Sequence, residues 1–253
     1  MITLYTTVRG FAGEFDHIQR NAIGSWLRLE PTPEVILFGD DEPGAQEFAA
    51  GIGLPIYPLK RGWKGIPLVN HPIHTANGVA GNEIRCLINA DIILTRDFIL
   101  AIRTVAERFD QFLAIPKRWD LKVSDRLDFS PGWQEEIRRE VDKRGWYKGP
   151  LAIDAFCYRG GFWGQVPDFL MGRSSWDNWL VGKALKERIP LVDVSDVATC
   201  IHQEHHKRRQ DEETQHNQAI LNLEPGKRPA GFARATWHLC EDLTFERTKR
   251  GKQ

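Results

Sequence analysis

The residues best placed to do chemistry are Asn89-Ala90-Asp91, which interrupt an apolar run: Cys86-Leu87-Ile88 precede them and Ile92-Ile93-Leu94 follow. Bounded by Glu83 and Arg85 on one side and Thr95-Arg96-Asp97 on the other, the run reads as a strand buried on both faces of a parallel sheet. An ionised aspartate at the carboxyl end of such a strand is costly to desolvate unless a cation or hydrogen-bond donors meet it, so Asp91 calls for a metal ion or a ligand. The simpler alternative is that Asn89 and Asp91 end the strand and cap a helix that begins near Arg96. A second candidate is Cys200-Ile201-His202-Gln203-Glu204-His205-His206, which follows the strand-like stretch from Leu191 to Val197. Imidazole is a common metal ligand. The spacing matches no helical zinc signature, however, and Lys207-Arg208-Arg209 would repel a cation if close. A zinc hydrolase is therefore disfavoured, and more than one of the three histidines is expected to face solvent. The third candidate is Gly172-Arg173-Ser174-Ser175-Trp176-Asp177-Asn178-Trp179-Leu180, which puts an acid at a helix start. Ser175 or Asp177 can serve as the N-cap there, and a role as a base requires the Asp177 carboxylate to face a cleft and reach a hydroxyl.

Such residues need a scaffold, and the first half of the chain supplies one by alternation. Ile2 to Val8 reads as a strand, and Asp16 can cap a helix in which Ile18, Ala22 and Trp26 recur at helical spacing, stopped by Pro31 and Pro33. Glu34 to Phe38 is a second strand with Gly39-Asp40-Asp41 as its exit loop. Ala45 to Ala50 is a short helix ended by Gly51 and Gly53. Ile56 to Leu59 is a third, weaker strand, and Leu68 to Ala80 a helix leading into the Asn89-Asp91 run. Short β-α-β-α crossovers of this kind predict a doubly wound parallel sheet. Ligands of such sheets bind outside the carboxyl ends of the strands, so the loops carrying Thr6, Thr7 and Arg9, Asp40 and Asp41, and Asn89 and Asp91 should converge on one crevice.

The second half is less regular and richer in aromatics, with six of the nine tryptophans between Trp119 and Trp179. Most are expected in the core, Trp179 above all; Trp119 and Trp176, each followed by an aspartate, are the candidates to line a cleft, where indole faces can stack on sugar rings. Lys plus Arg and Asp plus Glu number 34 each, so bulk charge advertises neither nucleic acid nor a membrane surface as partner. No segment approaches the length of a membrane span. The N-terminus enters a strand-like pattern without a secretory signal, and the four dispersed cysteines read as reduced core residues, which together imply a cytoplasmic protein. The basic stretch 247–253 reads as a solvated tail.

Taken together, several runs resemble one known family. They are Gln19 to Leu27, Glu34 to Asp41, Gly65 to Asn70, Ile88 to Ile93, Arg118 to Leu121, Gly172-Arg173 with Trp176 to Leu180, and Ile201-His202-Gln203. As a set, across residues 2–222, they look like glycosyltransferase-like proteins of the GT-A, nucleotide-diphospho-sugar transferase superfamily, family 2-like. The resemblance implies an α/β GT-A fold: a Rossmann-like, mostly parallel central sheet flanked by helices, as a single domain over 1–246. About 1–110 would bind the nucleotide and about 111–246 the acceptor. It implies a metal-dependent hexosyltransferase-type glycosyltransferase that moves a sugar from a UDP- or GDP-linked donor to an acceptor hydroxyl, with inversion.

Carried over residue by residue, Asn89-Ala90-Asp91 stands in place of the superfamily's Asp-x-Asp motif. Asp91 would hold Mn2+ or Mg2+, Asn89 would contact ribose or a metal-bound water, and His202, with His205 as runner-up, would close the metal site. Asn89 departs from the pattern by one charge. Thr6, Arg9, Asp40 and Asp41 match nucleoside-holding positions, Arg9 with a possible phosphate role. Asp177 falls where inverting members keep the base. Arg118, Trp119, Asp120, Asp154, Arg173 and Trp176 would hold donor sugar or acceptor. Two other readings compete: a non-catalytic sugar-nucleotide-binding homologue, favoured by Asn89, and a sugar nucleotidyltransferase, disfavoured because Thr6 to Phe11 lacks a Gly-rich basic loop.

Overall fold

The computed structural model describes residues 1–149, 151–206, 211–223, 231–249 and 251. The first half follows the alternation of its sequence: β1 (Ile2–Thr7), α1 (Glu14–Trp26), β2 (Glu34–Phe38), α2 (Ala45–Ile52), β3 (Ile56–Tyr57), α3 (Asn70–Val79) and β4 (Ile84–Ile88). β2 and β4 flank β1 in parallel, and β3 adds to β2 in parallel. Each strand is apolar on both sides because both faces of the sheet are covered. Leu4 and Leu37 join the cluster that contains Trp26, Phe48 and Phe98, while Tyr5 and Ile36 join the one that contains Ile73, Ala76 and Leu180.

α3 starts at Asn70 rather than Leu68, and two other helix boundaries differ from expectation for local reasons. Gly13, at φ 56, occupies the N-cap of α1 without a side-chain bond. Asp16 lies in the first turn instead, held by Arg20 at 2.7 Å and Arg126 at 2.8 Å. α2 runs through Gly51 and stops at Gly53, whose left-handed φ of 68 terminates it.

The apolar run around Asn89 is not one strand. β4 ends at Ile88, residues 89–91 form a turn, and Ile92–Leu94 (β5) enters a different sheet. Then come α4 (Asp97–Arg108), β6 (Phe112–Ile115), β7 (Arg118–Leu121), α5 (Trp133–Arg144), β8 (Trp146–Tyr147), β9 (Ala155–Arg159), α6 (Trp176–Lys186), β10 (Leu191–Asp193), β11 (Cys200–Gln203), α7 (Asp211–Leu223), β12 (Trp237–Leu239) and β13 (Phe245–Arg247). The large sheet has nine strands in the order β13-β12-β10-β6-β9-β4-β1-β2-β3. Only β9 and β13 run against the others. The small sheet, β5-β11-β7-β8, packs with α5 around Ile93, Leu121, Trp133, Ile137 and Ile201.

The stretch expected to be a solvated tail begins as sheet. Arg247 ends β13, and Thr248 bonds back through its N–H to Thr236 O at 3.2 Å and through its hydroxyl to Ala235 O at 2.6 Å. Residues 250, 252 and 253 of that stretch lie outside the described residues. Among the described residues, no helix is long and apolar enough to cross a membrane.

Candidate active site

Polar side chains of α1 fix the seam between the two sheets. Trp26 Nε1 donates to Ile92 O at 2.8 Å, Ser25 Oγ accepts from Leu94 N at 3.1 Å, and Asn21 Nδ2 donates to Gln203 Oε1 at 2.9 Å. Gln203 in turn donates its backbone N–H to Asp91 O at 3.0 Å. Gln19 clamps the backbone of Arg9, accepting from its N–H at 2.7 Å and donating to its carbonyl at 3.1 Å. Buried polar groups satisfied in this way hold one register, so the Asp91 turn, β11 and the loop after β1 are positioned together.

Asp91 meets two histidines there. Its Oδ2 lies 3.1 Å from His205 Nε2 and 3.4 Å from His202 Nε2. Its Oδ1 is buried and accepts no hydrogen bond. One ligand atom from each of the three residues falls within 4.8 Å of the others, and among the described residues they are the group of this kind that could hold a metal ion. The orphaned carboxylate oxygen and the convergent imidazoles fit a divalent cation. Burial opposes ionisation of Asp91, but His202 and His205 outweigh it and hold the carboxyl well below its usual range. Burial likewise disfavours the His202 cation, yet Asp91 and Asp120 push the imidazole up to about 9.

From His202 the charges alternate away from Asp91. His202 Nδ1 contacts Asp120 Oδ1 at 3.3 Å. Asp120 takes a two-point ion pair from Arg118, at 2.6 and 3.1 Å, and Lys148 stands 3.8 Å from its Oδ2. Arg118 also donates to Asp154 Oδ2 at 2.6 Å, and Asn89 Nδ2 donates to Asp154 Oδ1 at 2.6 Å. Burial raises the Asp177 carboxyl to about 6, against the backbone N–H of Asn178 and helped by the charge of Asp154. Asp177 sits in the first turn of α6, whose N-cap Ser175 adopts φ 90 and makes no capping bond to the helix. The loop before it is pinned from α7: the fully buried Asn217 accepts from Leu170 N at 2.8 Å and donates to Leu170 O and Ser174 O at 3.0 Å each.

The sequence-based candidates thus divide. Asn89, Asp91, Arg118, Asp120, Asp154 and His202 form one network, with Asp177 within electrostatic reach of Asp154. Arg9 lies across the Phe15 ring at 4.7 Å, and Phe15 edges His205 at 5.2 Å. Asp40 is half-buried at the end of β2. Thr6 is fully buried, because both faces of β1 are covered, and only Thr7, at the end of the strand, is half-exposed. Asp41 is taken up by a two-point ion pair with Arg61, at 3.0 Å for each bond. Trp176 is core rather than cleft, 5% exposed and packed on Phe156 at 5.5 Å. Trp119 is half-buried, its ring 6.3 Å from the exposed Tyr147. Among the three histidines only His206 is exposed. Lys207, Arg208 and Arg209, expected to repel a cation if close, lie outside the described residues.

No family model and no curated protein matches the chain. Solved structures do. The crystal structure of S. aureus TarS 1-349 in complex with UDP-GlcNAc matches with a TM-score of 0.51 and 12% identity, over 88% of this chain and 64% of that chain. A second crystal structure of S. aureus TarS 1-349 matches with a TM-score of 0.48 and 10% identity, over 81% of this chain and 58% of that one. The chain therefore spans less than two thirds of the structures it matches. The former likeness shows the fold: a large, mostly parallel sheet flanked by helices, as the sequence led one to expect.

Proposed function

We propose that the protein is a glycosyltransferase that moves a sugar from a nucleotide-diphosphate donor to an acceptor hydroxyl, with inversion at the anomeric carbon. The observation that carries this reading is the Asp91–His202–His205 cluster, with its orphaned carboxylate oxygen, at the carboxyl end of β4 where open α/β sheets bind ligands. The TarS structure of like fold holds UDP-GlcNAc, which favours a UDP-linked donor over a GDP-linked one. One carboxylate with two imidazoles suits Mn2+ better than Mg2+, which prefers oxygen ligands. Such an ion, when bound, neutralises the charge that develops on the departing diphosphate.

The chain's own groups do the rest. Asp40 accepts from the nucleoside hydroxyls. Asp177, with its carboxyl at about 6, is ionised at neutral pH yet basic enough to take the proton of the acceptor hydroxyl as that oxygen attacks and the carbon–diphosphate bond breaks. Arg118, between Asp120 and Asp154, fixes the Asp154 side chain, which is to hold the sugar or acceptor hydroxyls.

Asn89 no longer argues for a non-catalytic binding protein, because its amide is the donor that Asp154 requires. The deciding experiment is calorimetric titration with UDP and GDP, each with Mn2+ and with excess chelator. Metal-dependent binding of UDP is the expected result; binding of neither nucleotide overturns the proposal.

A further inference from the structure

Strand alternation gives the small sheet two faces, and the register across its four strands assigns each side chain to one of them. One row, Ile93–Ile201–Trp119–Tyr147, faces α5, where Ile93 and Ile201 are buried with Trp133 and Ile137 and Trp119 packs against them. The neighbouring row, Ile92–His202–Asp120–Trp146, faces the crevice. His202 Nδ1 touches Asp120 across it, and Lys148, two residues beyond Trp146, approaches Asp120 Oδ2 at 3.8 Å from the same side. Trp119, expected to line a cleft, is therefore turned toward α5. The indole on the crevice side is that of Trp146, on the edge strand.

This placement is imposed by the chain before it. Gly145 joins Trp146 directly to α5, its N–H donating to Val141 O at 2.8 Å, and a Cβ on Gly145 would stand 2.6 Å from that same oxygen. The missing side chain lets β8 leave the helix closely enough to pair with β7. Trp146 is 39% exposed, and among the described residues its side chain has no ring, cation or hydrogen-bond partner. Such an indole contributes little to the core. Its neighbours on this face are Asp120 and Lys148, with Arg118 tying Asp120 to Asp154. Two strand spacings, about 10 Å, separate it from His202.

We infer that Trp146 is an acceptor-binding residue and that the acceptor is a glycan, one sugar ring of which lies on the indole. The apolar face of a sugar ring fits a single flat aromatic surface, while its hydroxyls need hydrogen-bonding groups around the rim, which Lys148 and Asp154 supply. A lipid or other extended apolar acceptor would need a continuous apolar strip, and the side chains next to Trp146 are charged instead. The separation from His202 puts the indole on the acceptor side of the crevice rather than over the diphosphate. The inference rests on the transferase reading above and supplies the chemical class of its acceptor.

The test is binding of the full chain to an array of hexose, hexosamine and deoxyhexose oligosaccharides and the corresponding single sugars, followed by titration with the tightest binder. Wild type, Trp146→Ala, Trp146→Phe and Tyr147→Ala are compared, each checked for folding by thermal melting. Wild type should bind oligosaccharides of at least one class. Trp146→Ala should weaken that binding at least about tenfold, Trp146→Phe less so, and Tyr147→Ala, on the opposite face, not at all. No glycan bound by wild type, equal affinity in Trp146→Ala, or an equal loss in Tyr147→Ala would each overturn the inference while leaving metal-dependent UDP binding intact. Trp146-dependent glycan binding without any UDP or GDP binding would retain the glycan platform and remove the transferase reading instead.

Discussion

Asn89 and Asp154 are joined twice: the Asn89 side-chain amide donates to Asp154 Oδ1 at 2.6 Å, and its backbone N–H donates to the Asp154 carbonyl at 3.0 Å. Arg118 occupies the other carboxylate oxygen, so the residue at 89 must be a donor rather than another acid. Asn89→Asp should therefore lose about 1–3 kcal/mol of stability at neutral pH, because two carboxylates would share one site. Urea unfolding at about pH 7 and pH 4 measures this. The deficit should shrink at the lower pH as one carboxyl protonates, and a variant as stable as wild type at both would refute the explanation.

Asp91→Ala should abolish Mn2+-dependent UDP binding in calorimetry. The metal affinity of the wild type should also depend on pH in one direction. His202 carries a proton up to about pH 9, which a metal must displace, so affinity should rise with pH across the neutral range, by up to about tenfold per unit. A flat profile between about pH 6 and 8 would remove His202 from the ligand set.

Asp177→Asn should leave UDP binding intact and lower transfer by about 10²–10⁴-fold. Wild-type transfer should fall as pH drops through about 6, where Asp177 protonates. The linkage sign runs the other way for stability. Its folded pKa is raised, so the stability it contributes is present at low pH and lost as pH rises through about 6, by up to about 3 kcal/mol. Asp177→Asn should accordingly melt higher than wild type at about pH 8, with the gap narrowing at about pH 4. A variant less stable than wild type at the higher pH contradicts the buried, destabilised base.

Asn217→Ala removes three hydrogen bonds and leaves the Leu170 and Ser174 backbone groups without them, so a loss of about 2–4 kcal/mol is expected in chemical unfolding. UDP affinity should fall as well, although Asn217 lies on α7, outside the first half of the chain. An effect on stability alone would mean that the Arg173 loop keeps its shape without α7.

How much of this the sequence shows depends on how local each cause is. β2 was readable from Glu34 to Phe38, and β1 to within one residue, because covering both faces of a sheet demands continuous apolar residues. The same rule hid the break at Asn89. β4 and β5 belong to different sheets but are equally apolar, and only pairing with β11 tells them apart. Asp91 stood out as a polar residue inside an apolar run and His202 as one of a cluster of three histidines, whereas His205, the runner-up, proves the nearer to Asp91. Thr6 and Trp176 were misplaced because a residue type does not report which way it faces. Lys148 and Asn217 carried no signal at all, being polar residues whose partners are distant in the chain.

Asn217 also bears on what a search for function in such chains overlooks. It sits on a polar helix, has none of the chemistry of a ligand or a base, and follows every acid and histidine of the crevice in the chain. A nick ahead of α7 would leave each of those reactive groups chemically untouched. Inactivation would then come from slackness in the loop that presents Arg173 and Asp177, and an inventory of reactive side chains would find the damaged molecule complete.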